Sequence, residues 1–192
     1  MSEKRPRQLV KRDALIEAAA RVLLREGLAG CSVRAVAEAS PLTKSALHYY
    51  FEDFEELLDL AFRRAMDEFF ARVEVAAEAE SDPVNALWAA ARTYLQLGAD
   101  RPGRAPLLGF EVQIQSTRRG QLDSVREVAD RNLAFFTRLL RRTGLSEPEQ
   151  RASVFLATLL GALVRNSAHA LDLEIFLAEA ALAMGLPRPP TP

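Results

Sequence analysis

The chain has 192 residues, 25 Lys and Arg against 26 Asp and Glu, and a formal charge of −1. At about 150 residues per domain, that length fits one domain or a small domain joined to a larger one, with ample material for a core. Apolar residues at 49% and charged residues at 27% exclude a disordered chain. The lone Cys31 excludes an intrachain disulfide, and no Cys/His cluster has metal-ligand spacing, so no metal or other cofactor is expected. The N-terminal MSEKRPRQLVKR lacks the apolar stretch of a signal peptide. The longest uncharged run, Ala152 to Val164, falls short of the about 20 residues a membrane span needs. A cytoplasmic location is the expectation.

Composition also sets the fold class. Ala and Leu number 32 and 29, whereas Val and Ile number 12 and 3. Straight-chain and small side chains favour helix, β-branched ones favour strand. An all-α chain is predicted. Residues 1–50 carry nine basic and five acidic groups, a net of +4, and residues 51–192 carry 16 and 21, a net of −5. A basic end on an acidic protein is the footprint of a polyanion-binding surface, although a solvated tail would have the same charge.

In chain order, Leu15, Ala18, Ala19, Val22 and Leu23 recur at helical spacing up to Gly27. Ser32 is a candidate N-cap for a helix over Val33 to Ala39, and Pro41 forces a turn at Ser40. Thr43 is placed to cap a third helix, Lys44 to Tyr50, and Asp53 with Glu56 opens a long helix from Phe54 to about Ala79. Further helices are predicted from Val84 through Leu95, from Leu107 to about Thr117, from Leu122 to Gly144, over about 147–170, and from Asp172 to Met184. The result is three short helices followed by six longer ones and a Pro-rich tail.

Two short helices joined by a turn form a helix-turn-helix when the first crosses the phosphate backbone and seats the second in the major groove. In Lys44 to Tyr50, Leu47 and Tyr50 are predicted to pack inward, leaving Lys44, Ser45, His48 and Tyr49 outward with hydrogen-bonding groups suited to phosphates and base edges. The segment SVRAVAEASPLTKSALHYYFEDFEEL resembles the signature of TetR-family transcriptional regulators. Ser32 takes the opening hydroxyl position, Val36-Ala37 an Ile-Ala pair, Leu42-Thr43-Lys44 a Val-Ser-Lys run, and Leu47, Tyr50-Phe51, Glu55 and Leu57 complete the pattern without insertion. Ser40-Pro41 replaces Ala-Gly, Ser45 a common Gly, His48 a Tyr, and Phe54 a Lys that in the family often touches phosphate.

The resemblance covers about residues 13–60. It implies a helix-turn-helix domain at 1–52 with a basic arm at Lys4, Arg5 and Arg7, an effector-binding and dimerisation bundle at 53–186, and the tail at 187–192. It implies phosphate contacts from Ser32, Thr43 and Tyr49, with Arg34 a further backbone candidate, and base-edge contacts from Lys44, Ser45, Ala46 and His48.

Apolar residues all round the eighth helix, with more on the ninth, predict a homodimer interface through Phe155, Leu159, Leu163, Leu173, Phe176, Leu177 and Ala180. Two recognition helices about 34–36 Å apart then require a pseudo-palindromic operator. Polar residues on apolar stripes predict a small-molecule pocket lined by Phe62, Met66, Trp88, Glu111, Gln115, Asn132 and Phe136. The function expected is a ligand-responsive regulator, a repressor released from double-stranded DNA by a small-molecule effector. A helical protein-binding adaptor is the alternative. With His48 and His169 the only histidines, the chain lacks the Glu-x-x-His pairs of a di-metal bundle, and no Gly-rich phosphate loop is evident, so an enzyme is not expected.

Overall fold

The first helix carries an apolar stripe, Leu15, Ile16, Ala18, Ala19, Val22 and Leu23, and all six side chains are buried. The computed structural model describes residues 4–41, 44–99 and 105–189, and within these residues every regular element is an α-helix, nine in all. They are α1 (Lys4–Gly30), α2 (Val33–Ala39), α3 (Lys44–Tyr50), α4 (Phe54–Glu78), α5 (Pro83–Ala99), α6 (Ala105–Arg119), α7 (Asp123–Arg142), α8 (Pro148–Ala168) and α9 (Leu173–Met184).

Capping chemistry explains several of the boundaries. The Ser32 hydroxyl accepts from the Ala35 N–H at 3.2 Å and opens α2. Ser40 is extended at φ −111°, as the following Pro41 requires. Asp53 accepts from the Glu56 N–H at 2.8 Å, while the Glu56 carboxylate reaches back to the Glu52 N–H at 2.8 Å. The two bonds satisfy donors that would otherwise be orphaned at the start of α4. Asp82 opens α5 and Asp172 opens α9 in the same way.

The first helical stretch ends at Gly27, as the sequence predicts, at φ 73°, ψ −178°, and a short further stretch, Leu28 to Gly30, continues beyond the kink. Helix α6 is longer at both ends than expected, and Gly120, at φ 70°, stops it after Arg119.

The chain divides into two compact units, residues 1–68 with 108–124 and residues 69–107 with 125–192. The first therefore takes in the start of α4 and most of α6 as well as α1 to α3. Within it, α2 packs on α1 and α3. Its core includes Leu15, Val36, Leu47, Phe51, Leu57 and Phe62. In the second unit α5, α8 and α9 pack on one another. Its centre is a run of edge-to-face rings: Trp88 to Phe155 at 5.6 Å, Phe155 to Phe136 at 5.4 Å, Phe136 to Tyr94 at 5.8 Å, and Tyr94 to Phe69 at 4.9 Å. Such pairs add to the area they bury because the positive ring edge meets a negative face. No helix among the described residues is long and apolar enough to cross a membrane.

Candidate nucleic-acid interface

Leu47 anchors α3, buried to 5% exposure beneath the helix. Phe51, one residue past the end of α3, is also 5% exposed and takes the inward place expected of Tyr50, which is only half-buried. One turn of helix separates Leu47 from Phe51, so the two apolar side chains hold the same face of the segment against the core. His48 and Tyr49 consequently face outward, Tyr49 at 69% exposure, and Ala46 is half-buried. Thr43 lies outside the described residues, as do the side chains of Lys44 and Ser45.

At the start of α2, Ser32 is exposed while its oxygen caps the helix. That arrangement occupies an acceptor lone pair and leaves the hydroxyl proton available. Arg34 is exposed and pairs with Glu38 one turn on, at 2.9 Å. An exposed i,i+4 pair contributes little, so a phosphate would compete well for the guanidinium. Lys4, Arg5 and Arg7 lie in the first turns of α1 rather than in an extended arm, and their side chains are outside the described residues.

Two residues of α1 make contacts that were not anticipated from the sequence. The Gln8 amide Nε2 donates to the Tyr49 hydroxyl at 3.0 Å. One turn later, Arg12 pairs with Glu56 at 2.7 Å and lies over the Phe51 ring at 5.0 Å. The basic character of the N-terminal end hinted that this part of α1 mattered, but nothing in the sequence marked a neutral glutamine.

The residues expected to line an effector pocket have varied surroundings. Phe62, in the first unit, is buried at 2% exposure and Met66 is half-buried. The Glu111 carboxylate accepts from the Leu28 N–H at 2.9 Å. Gln115, with its amide oxygen turned toward Arg119, accepts from that guanidinium at 2.7 Å. Gln115 and Arg119 border a cavity of about 60 Å³ with Leu28, Leu58 and Val112.

In the second unit Trp88 and Phe136 are fully buried in the ring cluster. The Trp88 indole N–H donates to the Pro187 carbonyl at 2.9 Å. Asn132 is 7% exposed and donates to the Tyr94 hydroxyl at 3.0 Å, while its buried Oδ1 has no partner among the described residues. Burial pushes the Tyr94 hydroxyl pKa up to about 12, so it remains protonated near neutrality.

The residues named for a subunit interface are mostly interior. Phe155, Leu159, Leu163, Phe176, Leu177 and Ala180 are all buried within the chain, and only Leu173 is half-exposed. Side chains that fill their own core offer little surface to a partner. The exposed apolar residues are Val154 and Val164 on α8 and Ile175 and Leu182 on α9, with Leu182 at 81% exposure. Ala157 and Gly161 share the exposed side of α8.

Residues 15–61 match the family described as bacterial regulatory proteins, tetR family. None of the curated proteins matches the chain. Among solved structures, a transcriptional regulator from Rhodococcus sp. Rha1 is 25% identical, with a TM-score of 0.72 over 91% of this chain and 94% of that one. A TetR-family transcriptional regulator from Agrobacterium tumefaciens is 20% identical, with a TM-score of 0.70 over 93% and 97%. The multidrug binding protein EbrR, solved with proflavin, is 23% identical, with a TM-score of 0.61 over 91% and 98%.

Proposed function

We propose that this chain, a TetR-family transcriptional regulator, represses transcription by binding a pseudo-palindromic operator as a homodimer and leaves it when a small molecule binds. The observation that carries the reading is the face of α3, where His48 and Tyr49 stand out above a buried Leu47 and Phe51. An imidazole and a phenol at that position suit base edges and phosphates, and Ser32 at the start of α2 supplies a second hydroxyl. We read the protein as a non-enzymatic, cytoplasmic regulator.

The dimer needs apolar surface that the core has not used. Val154, Ala157, Gly161, Val164, Ile175 and Leu182 offer it, and small residues at 157 and 161 would let two helices approach closely. A closed two-fold dimer would repeat α3 about 34–36 Å away, on one face of the duplex.

For the effector, the buried Asn132 Oδ1, without a partner among the described residues, supports a ligand that offers an N–H or O–H donor among aromatic walls. Proflavin bound by the EbrR neighbour supports small-molecule binding by this fold. A ligand favouring the DNA-incompatible form about 100-fold would shift the balance by about 2.7 kcal/mol, enough for induction.

Selection of bound fragments from a random duplex pool tests the reading. A two-fold symmetric consensus is expected. Recovery of no enriched sequence, together with no salt-dependent binding to duplex DNA, would overturn it.

A further inference from the structure

We infer that Gln8 is a positioning residue for DNA docking: its amide holds the Tyr49 hydroxyl so that the phenolic proton is presented outward to a phosphate oxygen. The inference rests on the DNA-binding reading above and adds a residue to it that no helix-turn-helix pattern would include.

A phenol oxygen both accepts and donates. Here the Gln8 Nε2–H occupies the acceptor side at 3.0 Å, and the remaining O–H suits an anion. Ser32 has the same arrangement, its oxygen accepting from the Ala35 N–H and its proton left to give. Each of these exposed hydroxyls, bonded internally through its oxygen, is a donor suited to the acceptor-only backbone of a duplex.

Gln8 does not act alone. Gln8 and Arg12 are one turn apart and share a face of α1. The first grips Tyr49, while the second lies over Phe51 and pairs with Glu56 at the start of α4. The Tyr49 ring also stands edge-on to Tyr50, with centroids 4.9 Å apart and planes at 87°. An exposed side chain normally loses rotamer freedom on binding, and one fixed beforehand loses less. Gln8 therefore contributes through Tyr49 rather than through a phosphate of its own.

The experiment titrates a fluorescent mixed-sequence duplex with the full chain, comparing wild type, Gln8→Leu, Tyr49→Phe and the double variant over a range of salt. Tyr49→Phe should weaken binding about tenfold and Gln8→Leu about fivefold, the sizes expected for a bond to a charged acceptor and for a neutral bond behind it. The double variant should bind no more weakly than Tyr49→Phe. Neither substitution changes a charge, so the slope of log affinity against log salt should stay at the wild-type value. Thermal melts should coincide. Wild-type affinity in Gln8→Leu would overturn the inference, as would an undiminished Gln8→Leu loss in the Tyr49→Phe background. Absence of salt-dependent binding by the wild type would instead remove the DNA-binding reading, and the inference with it.

Discussion

The Glu111 carboxylate accepts the backbone N–H of Leu28 at 2.9 Å, 83 residues away in sequence. Leu28 follows Gly27, whose φ of 73° interrupts α1 and frees that N–H from the helical ladder. A side chain on α6 thus caps the resumed end of α1, and a Cβ at position 27 would lie 3.2 Å from the same carboxylate.

Glu111→Ala should lower stability by about 1–2 kcal/mol, because it strands a half-buried donor. Glu111→Gln keeps a neutral acceptor and should lose less. Gly27→Ala should cost at least as much as Glu111→Ala, since an alanine there must adopt a left-handed backbone and displace the carboxylate. Denaturant titration of the three variants checks the order.

At alkaline pH two buried groups should destabilise the fold. Burial, with the nearby Glu26 charge adding to it, raises the Cys31 thiol to about 12, and burial raises the Tyr94 hydroxyl to about 12. Both folded values exceed the ordinary ones, so the stability they contribute is whole below about pH 9 and is lost as pH climbs toward 12. Cys31→Ala should flatten part of that alkaline decline. Native Cys31 should resist iodoacetamide at mildly alkaline pH and react once the chain is unfolded, which mass spectrometry would read directly.

Arg92 on α5 holds Glu174 on α9 through two bonds, Nε to Oε1 at 2.9 Å and Nη2 to Oε2 at 2.7 Å. The hydrogen bonds from Arg92 keep the Glu174 carboxyl pKa below its ordinary value. A depressed carboxyl contributes stability above its unfolded pKa and loses it as pH falls through the folded value, so this contribution should fade below about pH 4.5. Glu174 is 44% exposed, which limits the pair to about 1 kcal/mol. Arg92→Met should remove that contribution at neutral pH and shallow the acid transition, as circular dichroism against pH would report.

Leu182→Asp and Val164→Asp should convert the proposed dimer to monomer by sedimentation velocity while leaving the melting temperature of the monomer nearly unchanged. Phe155→Ala should do the reverse. It empties a fully buried site in the ring cluster and should cost about 3–5 kcal/mol of fold stability. A dimer that survives both aspartates would place the interface elsewhere.

Much of the helical layout was readable because local chemistry decides it. Ser32, Pro41 and Asp53 act on residues within four positions, and the helices they bound begin or stop where those side chains dictate. Asn132 was legible as a polar residue on an apolar stripe, and it is buried as that pattern implies. The working side of α8 was not legible. A helix apolar all round gives no angular preference, and only packing against α5 and α9 determines that Phe155 and Leu159 turn inward and Val154 and Val164 outward. Gln8 and Glu111 were missed in their roles for a related reason. Each acts on a residue dozens of positions away, 41 for Gln8 and 83 for Glu111, and no periodicity records such a pairing.

Trp88 is the only tryptophan in the chain, and its indole N–H is bonded to the Pro187 carbonyl while Leu186 beside it is buried. Tryptophan fluorescence therefore has a single source, and that source senses whether the segment after α9 is docked. A red shift in emission without loss of helicity would report release of that segment alone, giving a label-free signal for events at the end of the bundle. Fusions appended after α9 would need a spacer, because strain on Pro187 would be felt directly at the aromatic centre of the second unit.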